Sequence, residues 1–446
     1  MKRARVATGL AVAVLAAVAW TSGSASARPA HGAAARANTP VTLTFWSDYT
    51  TKRELGIFNA SFSAFHKAYP WITVKSTGGM NDDKILAAIT SGTPPDALLS
   101  FLPDNVGKFC TTGAWTNLNS YIQKDHLSLS VFPRAALTFS GFKGDQCSLP
   151  ALADSYGLYY NTDMLRAKGI AHPPRTLSEL AADAKKLTVF NPDGSIKVAG
   201  FVPFGNFYEN SVTGGLVQAY GAKWFDAHGK ANLAADPRWA QLLQWEKKLI
   251  DWYGYGKLQR FVAGKGDEFS TSNDFETGKV AMVYDGEWRT AFIAGDKAKV
   301  HYGTAPFPAA DSAPGQWGSG FISGNLVAIP KGSKHANEAW LLIKFLATNT
   351  PNMVRLSNGL GNVPTTAASA GSSGLKPNKK FATFIKIFNN PQNTTMPITP
   401  VGSAFGTLLN NFIDSYQAGH VKDLAGGLAK VDKDTDAQLK QGGGVP

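Results

Sequence analysis

Between Val41 and Phe101 the chain alternates three apolar runs with two helical stripes, and this order limits the fold more than any other feature. Val41 to Trp46 alternates apolar residues with Thr, the period of a half-buried strand. Leu55, Phe58, Phe62, Phe65 and Tyr69 follow at spacings of three and four, which predicts an amphipathic helix ended by Pro70. Ile72-Thr73-Val74 reads as a second strand. Asp82-Asp83 opens a helix whose acids complement its N-terminal dipole, with Ile85 and Ile89 inward and Gly92 as its stop. Ala97 to Phe101 is a third apolar run. Strand–helix–strand–helix–strand implies parallel strands joined by right-handed crossovers. The expected fold class is α/β.

A second series follows Pro150. Gly157 to Tyr160 predicts a strand, and Asn161-Thr162-Asp163 the entry to a short helix. Thr176-Leu177-Ser178-Glu179 has the form of a capping box, with its helix running to about Leu187. Asp236-Pro237 opens another helix, with proline at the first helical position. Trp239, Leu242, Trp245, Leu249 and Trp252 lie along it. Val280–Tyr284 and Asn325–Ile329 read as short buried strands. The latter precedes a helix carrying Trp340, Leu342, Ile343 and Leu346. Two more helical stretches follow Thr407. A chain of 446 residues is too long for one ordinary core, so two lobes are expected.

Composition narrows the function. With 44% hydrophobic and 17% charged residues the chain is too apolar for a disordered protein. Basic residues number 44 against 32 acidic, a formal charge of +12. They are scattered (Lys185-Lys186, Lys247-Lys248, Lys379-Lys380) with acids nearby, whereas a nucleic-acid groove needs clustering with stacking aromatics, so no nucleic-acid partner is expected. Lys2, Arg3 and Arg5, the apolar stretch Gly9–Trp20 and Ala25-Ser26-Ala27 have the form of an export signal over residues 1–27, too short for a membrane span. Residues 28–40 read as a flexible spacer. The mature protein is expected outside the cytoplasm, and no cysteine near the cleavage site offers a lipid attachment point. In that compartment Cys110 and Cys147 can form one disulfide, the alternative being two unpaired thiols.

Catalytic signatures are sparse. There is no G-x-S-x-G elbow, no phosphate-binding P-loop and no G-x-G-x-x-G after a strand. The eight histidines are isolated, with no H-E-x-x-H or Cys-x-x-Cys, so neither a metal nor a cofactor is expected. Asp285 and Glu287 close the strand Val280–Tyr284. Such a pair could serve as the acid and base of a glycosidase, hydrogen-bond a ligand, or be ordinary turn residues. Aromatic residues gather at element ends beside hydrogen-bonding side chains: Phe45-Trp46-Ser47-Asp48-Tyr49, Asn206-Phe207-Tyr208-Glu209-Asn210, Asp285-Gly286-Glu287-Trp288 and Trp317-Gly318-Ser319-Gly320-Phe321. Sugar recognition needs this combination, because one face of a pyranose is apolar while its hydroxyls require polar partners. Trp46 and Trp288 suit a cleft rim, while Trp239, Trp245, Trp252 and Trp340 suit a core.

Several stretches together resemble the extracellular solute-binding proteins of ABC importers, in their carbohydrate, maltose-binding-protein-like branch. They are Tyr156 to Leu165, Gly169-Ile170, Pro173 to Thr176, Ser91 to Asp96, Gly278 to Met282 leading to Gly286-Glu287-Trp288, Pro306 to Pro308, and Ile329 to Gly332 with Glu338-Ala339-Trp340. The resemblance implies a two-lobed, type II periplasmic-binding-protein-like fold, with hinge strands between the lobes and the ligand in the cleft. It places residues 41–149 and 305–352 in lobe one, and 150–304 and 353–446 in lobe two. It implies a carbohydrate ligand, membrane permease subunits as partners, a monomer and no catalysis. A glycerol-3-phosphate-type binding protein and a secreted glycoside hydrolase using Asp285 and Glu287 are the alternatives. Carried over by position, the ligand-binding residues are Trp46, Ser47, Asp48, Ser100, Phe101, Phe207, Tyr208, Asp285, Glu287, Trp288, Gly320, Phe321 and Asn362. The Cys110–Cys147 pair is not a general feature of this family.

Overall fold

In a computed structural model, residues 39–205, 207–210, 215–376 and 378–443 are described. The export signal expected over residues 1–27, and the spacer as far as residue 38, lie outside the described residues. The first series folds as its spacing requires. Strand β1 (Val41–Ser47) pairs in parallel with β2 (Ile72–Thr77) on one side and β3 (Ala97–Ser100) on the other. Helix α1 (Lys52–Ala68) is the first crossover, and α2 (Asp82–Thr90) the second. A capping box starts α1: Thr51 Oγ1 accepts from the Glu54 amide and Glu54 returns a carboxylate oxygen to the Thr51 amide. Its buried stripe, Phe58, Phe62 and Phe65, lies against the sheet, with the Phe62 ring 5.1 Å from Phe45.

Successive residues of one strand face opposite sides of the sheet. Leu99 therefore joins Leu43, Phe45, α1 and the helix Ala336–Thr348 in one core, while Leu98 joins Ile85, Phe109 and Trp115 in another. The disulfide Cys110–Cys147 closes beside this second layer.

The strand expected over Gly157–Tyr160 is longer, spanning Leu149–Asn161 and buried almost throughout. Being covered on both faces, it has no alternation for sequence to display. Its first half pairs antiparallel with Ile322–Ala328, which in turn borders β3. Its second half pairs with Met282–Gly286 and Tyr302–Ala305. One strand thus runs from the first set of cores into a third, where Leu158 and Tyr159 pack with Trp239, Leu242 and Phe275. Phe307 and Ala310 also pack in that third core, whereas Leu356 and Leu360 pack with α1 in the first.

Two local expectations need correction. Thr176 caps its helix (Leu177–Leu187) alone, because the Glu179 carboxylate turns to the Arg175 amide instead of the Thr176 amide. Along Pro237–Tyr253 the buried stripe runs through Trp239, Leu242, Glu246, Leu249 and Tyr253, which turns Trp252 outward at 39% exposure. No described helix is long and apolar enough to cross a membrane.

Candidate functional site

A cavity of about 540 Å³ opens where β1 and β3 end beside the middle of the crossing strand Leu149–Asn161. Asp48, Tyr49 and Thr50 enter it from the loop after β1, and Phe101 and Leu102 from the loop after β3. Asp154 and Tyr156 come from the crossing strand itself. Trp288 and Phe292 face them from the segment after Met282–Gly286, with Glu209, Phe269 and Asn362 completing the rim.

The floor is a chain of polar side chains drawn from five segments. The Tyr49 hydroxyl donates to Asn325 Oδ1 at 2.6 Å, and Asn325 Nδ2 donates to Asp154 Oδ2 at 3.2 Å. Asn362 Nδ2 reaches Asp154 Oδ1 at 2.7 Å and Glu287 Oε1 at 3.1 Å. The Ser155 amide holds the other Glu287 oxygen at 2.6 Å. Burial pushes the Asp154 carboxyl up to about 7, with the Asn362 bond opposing, and raises Glu287 well above its usual range, with the Asp154 charge adding to the effect. Two buried carboxyls that share one amide oppose each other's ionisation.

The walls are aromatic. The Trp288 ring stands edge-on to Tyr156, centroids 5.3 Å apart, and Tyr49 stands edge-on to Phe101 at 4.7 Å. Two glycines make room for this. A Cβ on Gly286 would lie 2.2 Å from the Trp288 ring, and Gly361, at φ +84° next to Asn362, would meet Ala291 at 2.9 Å. Behind the Trp288 wall sits a second charged group. Arg289 Nε binds Asp285 Oδ2 at 2.7 Å and Arg289 Nη1 binds Glu276 Oε1 at 3.2 Å, with Glu268 3.8 Å from Nη2. Glu209 shares a hydrogen bond with Glu268; burial first, then the Asp285 charge, raises its carboxyl to about 7.

Of the residues expected from sequence, Asp48, Phe101, Trp288 and Asn362 line the cavity. The others stand back from it. Trp46 packs half-buried against the Ile85 and Leu98 core. Ser47 and Ser100 are buried, and Ser100 Oγ accepts from the Leu102 amide, which shapes the loop carrying Phe101. Phe207 is core, and the Tyr208 hydroxyl turns to Asp274 at 2.9 Å. Gly320 and Phe321 form a layer behind Tyr156, rings 5.4 Å apart. Asp285 and Glu287 have no exposed surface, and both are engaged by fixed partners. They have no access for protonating a glycosidic oxygen or activating water. Sequence reasoning missed Tyr49, Asp154, Tyr156, Glu209, Phe292 and Asn325. Asp154 carried a usable signal, a lone acid inside the apolar run from Leu149 to Tyr160.

The bacterial extracellular solute-binding protein family model matches residues 50–353. A maltooligosaccharide ABC transporter solute-binding lipoprotein of Streptococcus pneumoniae is 26% identical over 329 residues, 72% of this chain and 71% of the relative. A probable ABC transporter-binding protein of Deinococcus radiodurans is 26% identical over 295 residues, 64% of this chain and 67% of its own. Among solved structures, CpMnBP1 with mannotriose bound superposes with a TM-score of 0.79 at 25% identity, covering 88% of this chain and 99% of that one. The maltose/maltodextrin-binding domain of Bdellovibrio bacteriovorus, bound to maltotriose, gives 0.71 at 23% identity, covering 90% of this chain and 100% of its own. These neighbours share the two-lobed type II binding-protein fold, and the chain belongs to the bacterial extracellular solute-binding protein family.

Proposed function

We propose that the chain captures a mono- or oligosaccharide outside the cytoplasm and delivers it to the permease of an ABC importer, without chemical change to the sugar. The supporting observation is the composition of the cavity, in which aromatic rings stand over a floor of carboxyl and amide groups. Rings take the apolar face of a pyranose, and the floor takes its hydroxyls once water is excluded. The names of the pneumococcal relative and of the mannotriose- and maltotriose-bound structures point the same way. Ligand-driven closure would follow from contacts made to both sides of the cleft at once, since a ligand shifts an equilibrium only by its differential affinity for the two states. The protein would act as a monomer, at the cell surface or secreted.

A glycerol-phosphate ligand is disfavoured because a phosphate calls for Arg or Lys among the contacting groups, and the described lining contains neither. The nearest guanidinium groups lie on either side of Phe292: Arg289 is engaged by Asp285 and Glu276, and Arg53 Nη2 donates to the Gly359 carbonyl. A thermal-shift panel of neutral mono- and oligosaccharides with glycerol 3-phosphate tests the reading. Saturation with a neutral sugar at about 100 times its Kd should add about 2.7 kcal/mol and raise the melting temperature by several degrees. A shift with glycerol 3-phosphate alone would replace the proposal.

A further inference from the structure

The molecule carries a formal charge of +12, yet its ligand cavity is lined by Asp48, Glu54, Asp154 and Glu209 and, among the described residues, by no Lys, Arg or His. We propose that the preferred ligand of this cavity carries a protonated amine, making it an amino sugar or an amino-substituted oligosaccharide instead of a fully neutral one. The proposal rests on the saccharide reading of the same cavity and names the substrate class within it.

Two observations support it. First, the acids enter from different segments, namely the β1 loop, the start of α1, the crossing strand and the Glu209 loop, and because burial raises Asp154 and Glu209 to about 7, an ammonium among them would offset the cost of their charge. Second, the same walls supply aromatic rings in Tyr49, Phe101, Tyr156 and Trp288, whereas Phe292 already has the Arg53 and Arg289 guanidinium groups against it. An ammonium group is attracted both to carboxylates and to ring faces, and the attraction grows when water is excluded. One ligand that offers hydroxyls, an apolar ring face and an ammonium satisfies both. Arg289 does not cancel the field, because Asp285, Glu276 and Glu268 already surround it. Lys84 is the charged neighbour of Asp48, and its ammonium donates to the Gly79 carbonyl at 2.7 Å.

The test is calorimetric titration of the chain with three probes: a glucosamine trisaccharide, its N-acetylated counterpart, and mannotriose. The buffer is held at about pH 7, where the amine is largely protonated. The glucosamine trisaccharide is expected to bind at least about tenfold tighter than either neutral probe. Salt at about 0.5 M should shrink the difference, because charge attraction is screened while stacking is not. Glu209→Gln and Asp48→Asn should each reduce the same ratio. Neutral probes binding as tightly as the amine, or more tightly, would overturn this inference and leave the saccharide reading in place. Failure of all three to bind would overturn both.

Discussion

At Gly286 the space that a side chain would fill is taken by the Trp288 ring, so the absence of a Cβ positions the largest wall of the cavity. We expect Gly286→Ala to displace that ring and weaken sugar binding at least about tenfold while the chain remains folded. Trp288→Ala should do the same by removing the ring outright. Unchanged affinity in calorimetry for both variants would place the ligand elsewhere. At this scale the sequence was partly legible. Trp288 and Asp48 were readable because an aromatic or an acid stood at the end of an apolar run. Phe207 and Trp46 failed the same rule, because a bulky ring at a strand end can turn into the core as readily as into a cleft, and only packing decides. Asp285 and Glu287 failed for an electrostatic reason. Arg289 one turn later holds Asp285, and the Ser155 amide reaches Glu287 from a strand 132 residues away in sequence, a pairing invisible to local spacing.

The elements that build the cleft differ in how plainly they are written. α1, β1 and β2 follow from periodicity because each has one solvated side, whereas β3, covered on both faces, shows only as an apolar run. The crossing strand Leu149–Asn161 is buried on both faces, so its length and its antiparallel partners come from tertiary pairing that spacing does not encode. The capping of Leu177–Leu187 shows the same limit, since the Glu179 carboxylate takes the Arg175 amide and not that of Thr176. Sequence permitted the disulfide between Cys110 and Cys147, and the structure forms it across a sequence separation of 37. Closing a loop of that length limits the unfolded chain, so Cys110→Ser with Cys147→Ser should lower stability by up to about 4 kcal/mol in the chain-entropy model. Denaturant unfolding of the double variant against the oxidised parent measures it, and equal midpoints would remove the disulfide from the stability account.

Across the whole molecule, buried acids couple stability to pH. Burial raises Asp154 and Glu209 to about 7 and puts Glu287 and Glu246 well above the usual carboxylate range. A carboxyl whose folded pKa is raised binds more protons in the folded state than in the unfolded one between about pH 4 and the folded value. Stability is therefore highest below the unfolded pKa and falls as pH rises through the folded pKa. The melting temperature of the ligand-free chain should decline from about pH 5 to about pH 8. Glu246 lies outside the cleft, with Oε1 unpartnered and Oε2 accepting from Gln417 at 3.3 Å. Glu246→Gln should raise the melting temperature at neutral pH and flatten the profile; a profile identical to the parent's would show that Glu246 does not contribute.

The two-lobed plan was legible from the order of strands and helices and from family-like stretches, whereas the polar floor, drawn from five segments, was not. That floor and its aromatic walls carry the central claim, that the cavity binds a saccharide and leaves it intact. The most direct measurement is a calorimetric titration of the chain with the saccharide giving the largest thermal shift, followed by mass spectrometry of the recovered sugar. The account predicts saturable binding at one site per chain, lost in Trp288→Ala, and recovery of the sugar at its original mass. Absence of saturable binding, or recovery of cleaved products, would contradict it.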